Sequence, residues 1–210
     1  MRYAVSRRGY LTVSAISAGC FVRAHPLSET PDSHCSMPLY SADLIGGKLH
    51  AFSGITGVCT LLLPESRGYV RIKSADPRQG PAIHPNYLAN ERDRETVVAG
   101  VKVMRRIFRA PAMACYIAEE IEPGAACDRD DELLDFIRRR GSTTYHPVST
   151  CRMGHDALAV TDERLRVRGL TSLRVIDASI MPAVVSGNTN AATIMIGEKG
   201  ADMMLADASI

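Results

Sequence analysis

Tryptophan is absent from this chain, and phenylalanine occurs only four times in 210 residues. That scarcity argues against an aromatic cage for a quaternary ammonium, although seven tyrosines remain. Charge of one sign is lacking too: 25 basic against 23 acidic residues leave a formal net charge of +2. With no basic run interleaved with aromatics, a nucleic-acid partner is excluded. The one basic cluster, Arg138-Arg139-Arg140, closes a helix-like segment, where cations suit the negative end of the dipole. No run of eighteen or more apolar residues exists, so no membrane-spanning helix is expected. The six cysteines (Cys20, Cys35, Cys59, Cys115, Cys127 and Cys151) contain no CxxC and no cysteine–histidine group at zinc-ligand spacing. Such a scattered set reads as reduced thiols in a cytoplasmic protein, though an even number allows disulfides of unreadable connectivity.

What is present is enough for a core: 46% of the residues are hydrophobic. Ser6-Arg7-Arg8-Gly9-Tyr10-Leu11 imitates a twin-arginine export signal, and Ser17-Ala18-Gly19-Cys20 a lipoprotein cleavage site. The stretch between them is broken by Thr12, Ser14, Ser17 and Gly19, so a cytoplasmic start is the expected reading. Residues 1–40 read as irregular. A strand-like run follows at Val58–Leu63, then a turn, then Tyr69–Ser74 with period-two alternation, and an extended piece from Ala82. Together these predict an antiparallel sheet. Helical spacing of Val97, Val98, Val101, Met104 and Ile107 predicts a helix over 91–108, ended by Pro111. A second helix is expected over 131–140. A third is expected over 193–205, with Ile194, Ile196, Ala201, Met204 and Leu205 as its buried side. A composition break near 124–131 marks the expected boundary between a first part, 1–128, and a second, 129–210.

The chemistry concentrates in the second part. Tyr145-His146-Pro147-Val148-Ser149-Thr150-Cys151-Arg152-Met153-Gly154 offers an imidazole, and Ser186-Gly187-Asn188-Thr189-Asn190 offers a carboxamide. Between them Leu173-Arg174-Val175-Ile176-Asp177-Ala178-Ser179 reads as a strand delivering the chain to a ligand. An imidazole can take a proton from an alcohol, and an amide NH2 can hold the resulting alkoxide. Blander readings stand beside these. A histidine before proline is often a turn residue, Ser-Gly-Asn is a turn-forming tripeptide, and Asp177 suits the end of a strand. The other histidines lie in loops or polar settings without metal-ligand spacing.

These motifs resemble the glucose–methanol–choline (GMC) family of flavin-dependent alcohol oxidoreductases, in particular its choline-dehydrogenase-like bacterial members. The PESRGYVRIKSADP segment, the HPVSTCRMG run, the segment from Asp162 to Gly169, LRVIDASIMP and SGNTNAATIMIGEKGADMM stand in the family's order. The resemblance covers essentially the whole chain. It also places Arg7-Arg8-Gly9 inside a domain rather than in an export signal. It implies His146 as proton acceptor for the substrate hydroxyl and Asn188 as its partner near the flavin. It also implies Asp177, Ala178, Asn188, Asn190 and Thr193 as FAD contacts, with the helix start after Asn190 offering free NH groups. The family's flavin domain opens with a GxGxxG turn. No such motif occurs here, and Gly46-Gly47 neither follows a strand nor opens a helix. The implied fold is therefore α+β: an antiparallel-sheet substrate domain with helices, plus the C-terminal strand-and-helix return of an FAD domain lacking its Rossmann unit. The implied function is FAD-dependent oxidation of a small-molecule alcohol, with an N-terminal half or a separate electron acceptor as the implied partner. An isolated chain is expected to bind FAD poorly and to be poorly soluble or partly disordered after residue 140. The alternative is a non-catalytic fragment or interaction module keeping part of the fold. A serine hydrolase built on His146 with Ser149 or Ser66 lacks the GxSxG elbow.

Overall fold

The structure, a computed structural model, describes residues 2–9, 12, 14, 16–43 and 47–208. It is an α+β protein with small antiparallel sheets and helices. Two compact units emerge, each built from two stretches of chain: residues 1–61 with 91–142, and 62–90 with 143–210. The expected cut after residue 128 falls inside the first unit rather than between the units. The physical reason is a buried cation, described below.

In the first unit, α1 (Arg2–Ser6) precedes a three-stranded sheet in the order β1 (Ile16–Val22), β2 (Ser33–Pro38), β3 (Val58–Leu61), all antiparallel. The expectation of irregular chain over 1–40 is thus corrected. β1 reads Ile-Ser-Ala-Gly-Cys-Phe-Val, without the period-two alternation that betrays a strand, because it lies at the sheet's edge and is largely exposed. Part of the apparent export signal is this strand; its Tyr10 and Leu11 lie outside the described residues, as does Gly46. Across the sheet lies α2 (Glu91–Arg109), followed by the short α3 (Pro111–Ala114). Acids at the start of α2 and arginines at its end match the dipole, and Val97, Val98, Val103 and Met104 are buried. Cys35, Val103 and Met104 form this unit's core, with Val22, Met37, Cys59 and Phe108 packed around it.

Helix α4 (Asp130–Arg140) starts on three acids and ends on three arginines, and Leu133 anchors it with no exposed surface. Its terminal cluster is partly used internally: Arg140 pairs with Asp43 at 3.1 Å and Glu122 at 2.9 Å. The loop before α4 is tied to α2 by Arg105. Only 7% of that side chain is exposed, and it donates to both Glu120 oxygens and to the Gly124 and Cys127 carbonyls, with Asp128 3.3 Å away. A guanidinium has enough fixed donors to serve two carboxylates and two carbonyls at once. The Gly- and Ala-rich stretch that read as a boundary is therefore wrapped around a cation of α2.

The second unit holds the hairpin β4 (Tyr69–Arg71) with β5 (Ala82–His84), and the helix α5 (Asn190–Ala208). The alternating run ends at Arg71 rather than Ser74, and all three residues of β4 are exposed. The core is small: Leu165, Ile180, Met181 and Ile196, with Val148, Met153, Val175, Ile176 and Val185 packed against it. Two expectations fail here. Leu173–Ile176 is not a strand; only Arg174 bridges, to Arg166, because no neighbouring strand among the described residues supplies a ladder. On α5 only Ile196 of the expected apolar side is buried, at 6% exposed, whereas Ile194, Met204 and Leu205 are more than half exposed and Ala201 is exposed. The packed face runs instead through Ile196 and Gly200: a Cβ at Gly200 would lie 2.4 Å from Ile176 Cγ2, so only glycine permits this approach. Near its C-terminus α5 is held by Asp207, which accepts from Arg164 at 2.5 Å, Arg166 at 2.6 Å and Arg174. Hydrogen bonding from Arg166, reinforced by Arg164, lowers the Asp207 carboxyl to about 2.

Two predictions follow from these ion pairs. Replacing Arg105→Met should cost about 3 kcal/mol, the usual scale for breaking a buried pair. Limited proteolysis should then cut within 115–128, where the wild-type chain resists. For Asp207 the folded pKa lies below the ordinary carboxylate value, so its stabilisation is complete above pH ~4 and fades as pH falls through about 2. Thermal melts should therefore show Asp207→Asn less stable than wild type at neutral pH, with the gap closing toward pH ~2. A gap independent of pH would contradict the assignment.

Candidate functional site

The peptide around His146 has no regular secondary structure and is shaped from its two flanks. Tyr145 and Ser149 both take left-handed backbone conformations, φ 57° and 73°, on either side of His146-Pro147-Val148. Such geometry at non-glycine residues costs about 1–3 kcal/mol each and persists only where surroundings enforce it. The enforcement is visible. The amide of Cys151 donates to the Ser179 carbonyl at 3.0 Å, and that of Met153 to the Ile180 carbonyl at 2.8 Å. The Ser149 hydroxyl donates to the Pro182 carbonyl at 3.1 Å. Beneath these bonds Val148 and Met153 pack against the core of Leu165, Ile180, Met181 and Ile196.

This arrangement brings the half-buried His146 ring to the start of α5. Its Nδ1 lies 3.2 Å from Oγ1 of Thr189, a residue only 8% exposed. Two tautomers satisfy that contact: the hydroxyl donates to a bare Nδ1, or accepts from a protonated Nδ1 and leaves Nε2 bare. Thr189 is itself fixed, because its carbonyl accepts from the Thr193 amide at 2.9 Å and the Thr193 hydroxyl at 2.8 Å. Thr189 was not singled out by sequence reasoning. Its signal was available: a threonine one residue ahead of an apolar helix stands where capping residues are favoured.

The other candidates occupy distinct settings. Asn188 and Asn190 are exposed on either side of Thr189, and no hydrogen bond within the described residues engages the Asn188 carboxamide. Gly187 takes φ 153°, and a Cβ placed there would meet nothing within 4 Å, so the approach to this turn is open. Asp177 is exposed, and one of its oxygens accepts from the Ser179 amide at 2.7 Å, capping the 3-10 turn Ala178–Ile180. The turn-acid reading of Asp177 matches this hydrogen bond. Ala178 is partly buried and packs on the core. The Thr193 hydroxyl is committed to the Thr189 carbonyl. The structure thus joins His146 to the 187–193 segment, with exposed amides and the unpaired first NH groups of α5 beside it. Such an end accepts anionic or carbonyl-bearing groups. Among the described residues no cluster of His, Cys, Asp or Glu is arranged to hold a metal ion, and no helix is long and apolar enough to cross a membrane.

Comparison with known proteins gives this geometry a context. Over 204 residues the chain is 46% identical to an alcohol dehydrogenase [acceptor] from Pseudomonas putida, covering 97% of this chain and 37% of that protein. Over 139 residues it is 50% identical to an oxygen-dependent choline dehydrogenase from Escherichia coli, covering 66% of this chain and 25% of the other. Among solved structures, pyridoxine 4-oxidase from Mesorbium loti superposes with a TM-score of 0.79 at 31% identity, over 90% of this chain and 37% of that one. An Aspergillus oryzae formate oxidase, studied for its FAD modification, gives 0.78 at 28% identity, over 87% and 32%. The chain spans between a quarter and little more than a third of the length of these relatives. Residues 64–197, which contain every candidate site residue, match the family model described as GMC oxidoreductase, and the chain belongs to that family.

Proposed function

We propose that this chain supplies the proton-accepting part of an active site that oxidises an alcohol, a CH–OH donor, with FAD as cofactor. The observation carrying this reading is the His146 ring tethered through Nδ1 to Thr189, at the open Gly187–Asn190 turn. On this reading the Nδ1–H donates to the Thr189 hydroxyl, so Nε2 presents its lone pair to the substrate hydroxyl and takes its proton. The exposed Asn188 amide donates to the developing alkoxide. Asn190, the exposed Asp177 oxygen and the free NH groups opening α5 fit the polar edge of a flavin, while the small Ala178 lets the backbone come close. Thr193 contributes by holding Thr189. When bound, the flavin supplies the acceptor for the hydride of the substrate carbon. The remaining flavin contacts would come from a GxGxxG-bearing segment, which this sequence does not contain, and six thiols suit a reducing, cytoplasmic setting.

The test is co-production with the N-terminal part of the Pseudomonas putida relative, followed by alcohol-dependent reduction of an artificial acceptor. His146→Ala should lower kcat by about 10²–10⁴-fold with flavin content unchanged, the range expected for loss of a general base. If every reconstituted pair is inactive, the chain is a non-catalytic fragment instead. A second series separates positioning from chemistry. Thr189→Val removes the partner of Nδ1 and should lower kcat about tenfold with little change in KM, on the scale of a single hydrogen bond. Thr189→Ser should restore it. A Thr189→Ser variant as impaired as Thr189→Val would count against the tether.

A further inference from the structure

Three of the six cysteines occupy one row across the first unit's sheet. The strand register sets Cys20 opposite Cys35, and Cys35 opposite Cys59. Directly opposed residues on neighbouring strands project to the same face, so the three thiols line up side by side. All three are free. Their exposure is graded: Cys20 on the edge strand is exposed, Cys35 is 1% exposed, and Cys59 is intermediate. The Cys59 sulfur sits against α2, where a Cβ on Gly100 would lie 2.1 Å from it. The row therefore runs from solvent inward to the face of a helix.

Strand geometry decides which bonds this row can form. Opposed residues in an antiparallel pair have Cα atoms roughly 4.5 or 5.5 Å apart, and both spacings lie inside the disulfide range. Cys20 and Cys59 stand two strands apart, roughly 9–10 Å, beyond reach of each other. Cys35 is thus the shared partner of any bridge. Hydrogen bonding from Cys59, and secondarily from Cys20, lowers the Cys35 thiol, whereas donation to Cys35 and burial push Cys59 up. Burial and the neighbouring Cys35 raise Cys20. Once Cys20 is oxidised, the central sulfur is the one placed to attack it.

We propose that this row is an oxidative modification site for hydroperoxides, in which exposed Cys20 is oxidised and closed onto Cys35 as a cross-strand disulfide. The Cys20 thiolate attacks the O–O bond, forming an S–O bond and releasing hydroxide or alkoxide, which takes up the thiol proton. The Cys35 thiolate then attacks the Cys20 sulfur, forming S–S and expelling hydroxide, which leaves as water with the Cys35 proton. In total two thiols lose two electrons, and the peroxide is reduced to water and water or an alcohol. Cys59 can next attack the Cys35 sulfur, moving the bridge inward and returning Cys20 to the thiol, with no further oxidant.

Tryptic cleavage separates the three cysteines into peptides 9–23, 24–48 and 49–67, which makes the pairing readable. The reduced 210-residue chain is treated with hydrogen peroxide, its remaining thiols are alkylated, and bridged peptides are mapped by mass spectrometry. The expected products join 9–23 to 24–48, or 24–48 to 49–67, with loss of two thiols from this row. Cys59→Ser should leave only the first product, and Cys35→Ser should abolish both while Cys20 stops at a sulfenic or higher acid. A bridge between 9–23 and 49–67 would overturn the proposal. So would retention of Cys20 and Cys35 as thiols while the exposed, isolated Cys115 is oxidised. Should Cys35→Ser fail to fold, the wild-type map decides the question alone.

Discussion

Two amide hydrogen bonds, from Cys151 to the Ser179 carbonyl and from Met153 to the Ile180 carbonyl, fasten the irregular peptide after His146 to the 3-10 turn Ala178–Ile180. The candidate site depends on them. A peptide without a ladder must satisfy its NH and C=O groups one by one, and most alternative arrangements leave some unpaired. Here the partners come from the turn that Asp177 caps, so the acid fixes the acceptor peptide and the acceptor peptide fixes His146. Val148 and Met153 also pack against the apolar cluster that includes Ile180 and Met181. Polar and apolar terms thus select the same register, and the left-handed conformations of Tyr145 and Ser149 are held against their intrinsic cost.

The two units achieve order by different means. In the first, a 19-residue amphipathic helix covers a sheet, and its buried Arg105 gathers the loop that follows. In the second, the core cluster holds four buried residues among those described, and the arginines Arg164, Arg166 and Arg174 converge on Asp207 to hold the end of α5. The α5 surface bearing Ile194, Met195, Met204 and Leu205 is left exposed. Exposed apolar side chains spread along a whole helix are uncommon on a finished surface.

How much of this was legible in the sequence depended on how local the cause is. Helices α2 and α4 were readable because period 3.6 and the charges at each end are written in neighbouring residues. The strand β1 was not, because its pairing is with distant residues and its mixture of small and apolar residues carries no alternation. Arg105 could not be distinguished from the other arginines of α2, since its burial is created by a loop some twenty residues away. The apolar side of α5 was misread for a related reason: a helix rich in apolar residues all round has no single face that sequence alone can select. The motifs single out His146 and Asn188 as candidates, whereas the Thr189 contact forms only when residue 146 arrives beside it.

That late arrival bears on the chemistry. A carboxylate behind a histidine both orients the ring and stabilises its protonated form. Thr189 can do only the first, because a hydroxyl brings no charge. The tether therefore accounts for the direction in which Nε2 faces, not for how firmly a proton would be held there. Whatever favours charge separation must come from groups around the reacting atoms. On this chain those are the exposed Asn188 amide and the free NH groups at the start of α5, both neutral donors suited to an alkoxide. On the proposed reading the two halves of the task fall to neighbouring positions of one short segment: Thr189 would set the acceptor, and its neighbours would hold the oxygen that loses the proton.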